Sequence, residues 1–276
     1  MIADISTIVA REMGVRRGGR WLLRPATFGI AGGVIGLTGS PGAGKSTLLA
    51  TFATMRRPHV GALDILGYAT GSSADLRRLR ARIGYLPADF GWAAGLRVRD
   101  FVAYSASYKR TSMPAVQAIL ERLELGDVTA MKLGMLPADV RLRAALAATC
   151  VHDPDLVLLD EPLTGLTDQA ADELVPLLSS LAPTVLVTGP SAGRLAGWCD
   201  QVFALARGRL TELATRPWPV AGGVRGSRLP VGGPAILTGD AAGPRVDAPG
   251  RTARAATALD AHRRLERLPV GSGAGG

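Results

Sequence analysis

The chain divides into short apolar runs and longer amphipathic stretches. Val34-Ile35-Gly36-Leu37-Thr38, Leu156-Val157-Leu158-Leu159, Thr184-Val185-Leu186-Val187 and Val202-Phe203-Ala204-Leu205 are nearly unbroken in apolar character. Runs this short, bounded by turn residues, predict strands of a parallel sheet covered on both faces. Leu22-Leu23 and residues 28–30 read as two further strands, set off by Gly18-Gly19 and Pro25, and Ile83-Gly84-Tyr85-Leu86-Pro87 reads as a strand closing at its Pro. Helices are expected over 45–57, stopping before Pro58, over 75–82 with a basic face, and over 169–181. Between 98 and 151 the periodicity is mostly helical, as at Val116, Ile119, Leu120 and Leu123, so a helical block interrupts the α/β pattern. From 215 to 276 the composition shifts to Gly, Pro, Ala and Arg. This tail is expected to be a loosely packed appendage, with a weak strand at 234–237, one helical run at 255–268 and disorder at the very end.

One stretch carries chemistry. Gly39-Ser40-Pro41-Gly42-Ala43-Gly44-Lys45-Ser46-Thr47 fits the phosphate-binding pattern G-x-x-x-x-G-K-[ST], and it stands between an expected strand and an expected helix, as the pattern requires. Gly42, Ala43 and Gly44 can turn N–H groups toward phosphate oxygens, and the positive end of the next helix adds to the attraction. Lys45 is placed to reach the β- and γ-phosphates, and the Ser46 hydroxyl suits Mg²⁺. A Gly-rich turn with no ligand is the competing reading.

Composition narrows the field. With 276 residues and 47% hydrophobic content the chain can hold one large α/β domain with a smaller appendage. No apolar run approaches the roughly 20 residues needed to cross a bilayer, and Met1-Ile2-Ala3-Asp4 lacks the shape of a signal peptide, so a cytoplasmic location is expected. Cys150 and Cys199 are far apart and read as small buried residues; His59, His152 and His262 stand at no ligand spacing. The net charge of +9 comes almost wholly from Arg, at Arg16-Arg17, in residues 77–82 and at Arg263-Arg264. With only 5% aromatic residues for base stacking, a solvated face or an anionic membrane surface accounts for this charge better than nucleic acid does.

The run ending Leu159-Asp160-Glu161-Pro162 sets two carboxylates at the end of an expected buried strand, where α/β sheets open their ligand crevice. Burying such a pair without a task is costly, although solvated acids in a plain turn would also fit. Asp160 suits water-mediated Mg²⁺ binding, and Glu161 suits the general base that orients an attacking water in phosphoryl transfer.

With these elements in order, the chain resembles the ATP-binding subunit of ABC transporters over about residues 20 to 213. The phosphate loop, the Asp160–Glu161 strand, Gly165-Leu166 and the helical block follow the family's sequence, and Arg82-Ile83-Gly84-Tyr85-Leu86-Pro87 looks like the segment before the Gln loop of exporter-type members. The resemblance implies a P-loop NTPase fold: a mostly parallel sheet, an antiparallel β part near the N-terminus and a helical subdomain inserted at about 92–151, all within an ATP-binding domain of residues 1–214. It implies ATP and Mg²⁺ as ligands, and a homo- or heterodimer that clamps two ATP molecules head to tail. A separate transmembrane permease, contacted near Phe90-Gly91-Trp92, would be the partner.

Several family positions are altered. Ala88 stands where a Gln would contact the metal, and Leu136-Pro137-Ala138-Asp139-Val140 replaces the Leu-Ser-Gly-Gly signature. Pro137 offers neither hydroxyl nor N–H, and the Asp139 carboxylate is expected to cap the free N–H groups of its own helix. Gly189 follows Thr188 where the family has a His, and Gly165-Leu166-Thr167-Asp168 replaces Leu-Asp-Pro. Trp21 is either the adenine-stacking aromatic or plain core. The expectation is a subunit that binds Mg-ATP, hydrolyses it slowly and serves an exporter. The alternative is an ATP-responsive regulatory or scaffold protein that has lost transport.

Overall fold

The computed structural model describes residues 6–213. The expected strand at 234–237, the helix at 255–268, His262 and the rest of the appendage lie outside the described residues. The chain begins with a hairpin of β1 (Ser6–Arg17) and β2 (Arg20–Ala31), antiparallel, with Arg17 opposite Arg20. Gly18 and Gly19 make the turn at φ of 56° and 76°, a region that glycine enters without steric cost. β4 (Val60–Ile65) pairs with β1, and β5 (Tyr68–Ala69) with β4, completing a four-stranded antiparallel sheet in the order β2-β1-β4-β5. The sequence suggested two short strands where β2 is one strand of 12 residues. Pro25 fits inside it because β2 is an edge strand, where a missing N–H breaks no ladder bond.

The second sheet contains β3 (Gly33–Thr38), β6 (Ile83–Leu86), β7 (Leu156–Leu159), β8 (Thr184–Gly189), β9 (Gln201–Ala206) and β10 (Arg209–Leu213), in the order β10-β9-β3-β8-β7-β6. All its pairings are parallel except the β9–β10 hairpin. The predicted mostly parallel sheet with an antiparallel part near the N-terminus is therefore the observed fold.

Alternate residues of the central strands feed two cores. Leu156 and Leu158 pack with Ile8, Met13, Leu48 and Phe52 on the side of the antiparallel sheet, while Val157 and Leu159 pack with Leu142, Leu146 and Leu174 on the other. Two-sided burial of this kind explains why the strand carries no polar alternation: all four β7 side chains are fully buried, each worth roughly 1.5–3 kcal/mol.

The helices are α1 (Lys45–Phe52), α2 (Ser73–Arg80), α3 (Val98–Lys109), α4 (Met113–Arg122), α5 (Ala138–Cys150), α6 (Asp168–Ser179) and α7 (Ala192–Ala196). α3, α4 and α5 form the expected helical block between β6 and β7. α1 ends five residues earlier than its pattern suggested. Thr54 turns to φ 59°, and the Arg80 guanidinium donates to its hydroxyl at 2.8 Å and its carbonyl at 2.9 Å, which fixes the chain leaving the helix. α2 starts two residues early because the Ser72 hydroxyl accepts from the Asp75 N–H.

The end of α3 is fastened to the sheet by Lys109, whose Nζ donates to the carbonyls of Arg80 at 2.6 Å and Ile83 at 2.8 Å. Burial, assisted by the Arg80 charge, pushes this lysine down to about 8. Cys150 and Cys199 are buried free thiols, as expected, and burial pushes both up to about 12.

Candidate nucleotide site

The phosphate loop leaves the end of β3 and enters α1 with no side-chain cap. Gly39 lies so close to β9 that a Cβ there would stand 2.5 Å from the Leu205 carbonyl oxygen, and Gly44 takes φ 109° beside Leu22. The Ala43 N–H bonds the Ser40 carbonyl at 3.0 Å, rounding the loop. α1 carries no acidic residue in its first turn, so its free N–H groups and positive end are left for an anion. Ser40, Pro41 and Gly42 are exposed at the loop's crest, Ser46 is exposed in the first helical turn, and Thr47 is buried against the core.

Lys45 is 5% exposed and does not project into solvent. Its Nζ donates to the Gly39 carbonyl at 2.9 Å and forms an ion pair with Glu161 Oε1 at 3.1 Å. The loop and the acid strand are thus joined by the two residues assigned to the γ-phosphate and the attacking water.

Asp160 is almost fully buried directly after β7, and Glu161 follows with φ 48°, a left-handed backbone rare for a non-glycine residue. Both are held by Thr188 of β8. Its hydroxyl donates to Asp160 Oδ1 at 2.8 Å and accepts the Glu161 N–H at 2.7 Å. The parallel register sets Leu159 beside Val187, which brings the next residues of the two strands together. In the sequence Thr188 stands out only as the neighbour of Gly189. The available signal is a hydroxyl directly after the apolar run Val185-Leu186-Val187, since a buried hydroxyl needs a partner.

The other altered positions surround this centre. Ala88, Asp89, Arg141, Asp160 and Glu161 line a cleft of about 310 Å³ between the segment after β6 and the start of α5. Ala88 is exposed and has no group to extend into the cleft. Gly189 is buried at the end of β8 with Leu195 near. Asp168, the first residue of α6, pairs with Arg194 of α7 at 2.7 Å. The expected self-capping of α5 is not found. Pro137 occupies the cap position, no side chain makes a cap hydrogen bond, and Asp139 lies two residues past the cap, inside the first turn. From that position its charge acts on the helix end through space only. Trp21 is occupied as well: the Arg16 guanidinium stacks 3.8 Å from its ring centroid, and the space above Gly14 is filled by its ring edge.

A Gly-rich loop feeding a helix, a buried lysine and a paired acid strand at the carboxyl end of a parallel sheet define a P-loop nucleotide-binding domain. The family model described as ABC transporter matches residues 24–164. A Nod factor export ATP-binding protein I of Burkholderia orbicola is 30% identical over 214 residues, covering 75% of this chain and 70% of that protein. A phosphonates import ATP-binding protein of Pseudomonas aeruginosa is 30% identical over 207 residues, covering 65% of this chain and 73% of its own length. Among solved structures, the dimeric post-hydrolysis state of an ATP-binding cassette bound to ADP and Pi shares the fold, with a TM-score of 0.66 at 21% identity, covering 76% of this chain and all of that one. The chain belongs to the ABC transporter ATP-binding family.

Proposed function

We propose that this chain is the ATP-binding subunit of an ABC transporter, coupling ATP binding and slow hydrolysis to a separate membrane permease. The observation that carries the reading is the assembly of Lys45, Asp160 and Glu161 into one contact chain, beside Ala88 and Gly189, which offer nothing to the γ-phosphate. Lys45 and the loop N–H groups of Gly42, Ala43 and Gly44 bind the phosphates, with Gly39, Ser40, Pro41 and Thr47 shaping the loop. Glu161 orients the attacking water once the phosphates draw Lys45 away from it.

The donors present suit Mg²⁺. Asp160 and Ser46 supply hard oxygens, and among the described residues no cluster of three His, Cys, Asp or Glu would favour another ion. Ser46 would hold the ion directly and Asp160 through water; when bound, Mg²⁺ neutralises charge on the β- and γ-phosphates.

Loss of a water-positioning group typically costs about 10²–10⁴ in rate and loss of one anion-stabilising donor about 10²–10³, which is the ground for slow turnover. The permease would dock near Phe90-Gly91-Trp92, where Trp92 packs edge-on against Phe101 at 5.9 Å between centroids. Two ATP-binding subunits, identical or different, would close on two nucleotides, on the cytoplasmic side of the membrane. Export is supported by the segment of residues 82–87 and by the Nod factor export relatives; relatives named for phosphonates import are as similar in identity.

Titration of the purified chain with Mg-ATP, followed by phosphate release, tests the reading. Saturable binding with slow release abolished by Glu161→Gln is expected; turnover at ordinary transporter rates would overturn the slow-hydrolysis claim. The same altered positions favour a second reading, a regulatory or scaffold protein that binds ATP without transport. Copurification with a polytopic membrane protein separates the two.

A further inference from the structure

We propose that Thr188 is the positioning residue that aligns the acid strand with a bound metal–nucleotide complex. The inference rests on the ATP-binding reading above.

Thr188 is 2% exposed and sits one residue before the end of β8. A hydroxyl has one proton, and here it is given to Asp160 Oδ1 at 2.8 Å, so Asp160 acts at that atom as an acceptor. The same oxygen accepts the Glu161 N–H at 2.7 Å. One atom therefore fixes the rotamer of the residue assigned to the metal-bound water and the backbone of the residue assigned to the attacking water. Glu161 needs such a hold, because its φ of 48° is disfavoured for a side chain with a Cβ.

The contacts run on without a gap: Asp160, Thr188, Glu161, Lys45 and Gly39 are linked by hydrogen bonds and one ion pair. Bonds in such a series polarise one another, and a buried member left unpaired is costly. Gly189 has no side chain to contribute, so at its last two positions β8 reaches the acid pair through the Thr188 hydroxyl. Packing alone does not require a hydroxyl here, since Val has the same branched shape and suits a strand.

The test uses the full chain and a fluorescent ATP analogue, titrated in EDTA and again in Mg²⁺. Thr188→Val is expected to leave the Kd in EDTA within about twofold of the unaltered chain. The gain in affinity on adding Mg²⁺ should fall by about tenfold, the lower end of what loss of a ligand-orienting partner costs a metal site. Thr188→Ser, which keeps the oxygen, should recover the gain to within about threefold. Retention of the full Mg²⁺ gain by Thr188→Val overturns the inference, as does an equal loss with and without metal, which a purely structural role would give. Failure of Thr188→Ser to recover while still binding in EDTA overturns it too. If the unaltered chain binds no nucleotide in either condition, the underlying ATP-binding reading falls and takes this one with it.

Discussion

Lys45 Nζ stands 3.1 Å from Glu161 Oε1, an ion pair with one partner 5% and the other 31% exposed. The ammonium that should meet phosphate is engaged by the carboxylate that should activate water. Phosphate must therefore compete with Glu161 for Lys45, and success frees Glu161 for its own task. Partly exposed pairs of this kind contribute up to roughly 1 kcal/mol. Glu161→Gln should then bind ATP about fivefold more tightly than the unaltered chain while releasing no phosphate. Lys45→Met should lose nucleotide binding by two orders of magnitude or more, in keeping with loss of a charged contact. Equilibrium titration of both variants checks the pair; unchanged affinity in Glu161→Gln would mean that the ion pair offers no resistance to ATP.

Gly189 tolerates a Cβ. The atoms nearest to an added Cβ belong to Leu195 at 3.4–3.5 Å, ordinary van der Waals contact, and φ lies outside the left-handed region. Gly189→His should raise phosphate release at saturating Mg-ATP by about tenfold, short of the 10²–10⁴ typical of a full acid–base group because Ala88 and Pro137 stay altered. No rise would show that those other positions limit turnover.

Acid stability should depend on His152. Its Nε2 lies 3.1 Å from the Ile83 carbonyl, which fixes the proton there, and Nδ1 is buried with no hydrogen-bond partner. Burial, helped by the Lys109 charge, pushes the imidazole down to about 4. As pH falls below about 6.5 the unfolded chain takes up a proton that the folded chain refuses until about 4, so folding loses free energy across that window. Above 6.5 the contribution is fully present. The loss between pH 7 and 4.5 is on the order of 2 kcal/mol. His152→Phe should shift less in urea midpoint between those two pH values than the unaltered chain does; equal shifts would locate the acid sensitivity elsewhere.

The phosphate loop, the acid strand and the parallel sheet were legible because each is a local pattern with one physical solution. A buried two-sided strand cannot alternate, and Leu156 to Leu159 do not. A phosphate cradle needs glycine where the backbone crowds, and Gly39 sits against Leu205. Features set by contacts distant in sequence were not legible. α1 stops at Phe52 because Arg80, 26 residues from Thr54, grips the chain that leaves it. β2 runs through Pro25 because the ladder with β1 skips that residue, passing from Ala26 opposite Met13 to Leu23 opposite Val15. Thr188 carries no local mark because its partners Asp160 and Glu161 lie 28 and 27 residues away, just after β7. Asp139 is expected to cap α5, but the helix starts at Ala138, two residues earlier than that role requires.

The loop glycines give a final separation of space from backbone angle. At Gly39 an added Cβ would stand 2.5 Å from the Leu205 carbonyl oxygen, a backbone atom of β9 that cannot rotate aside. At Gly42, φ is 76° but no atom lies within 4 Å of the added carbon. Gly42→Ala should thus cost only the left-handed penalty, about 1–2 kcal/mol. Gly39→Ala must push the loop away from β9, costing about 3 kcal/mol or more as an overpacking change with little room to relax. Urea unfolding should rank the two variants in that order. Nucleotide titration should follow the same ranking, because displacement at Gly39 also moves the carbonyl that Lys45 Nζ bonds at 2.9 Å. A Gly39→Ala variant as stable as Gly42→Ala would mean that β9 yields to the loop, and that the closeness of the two segments is not what holds Lys45 in position.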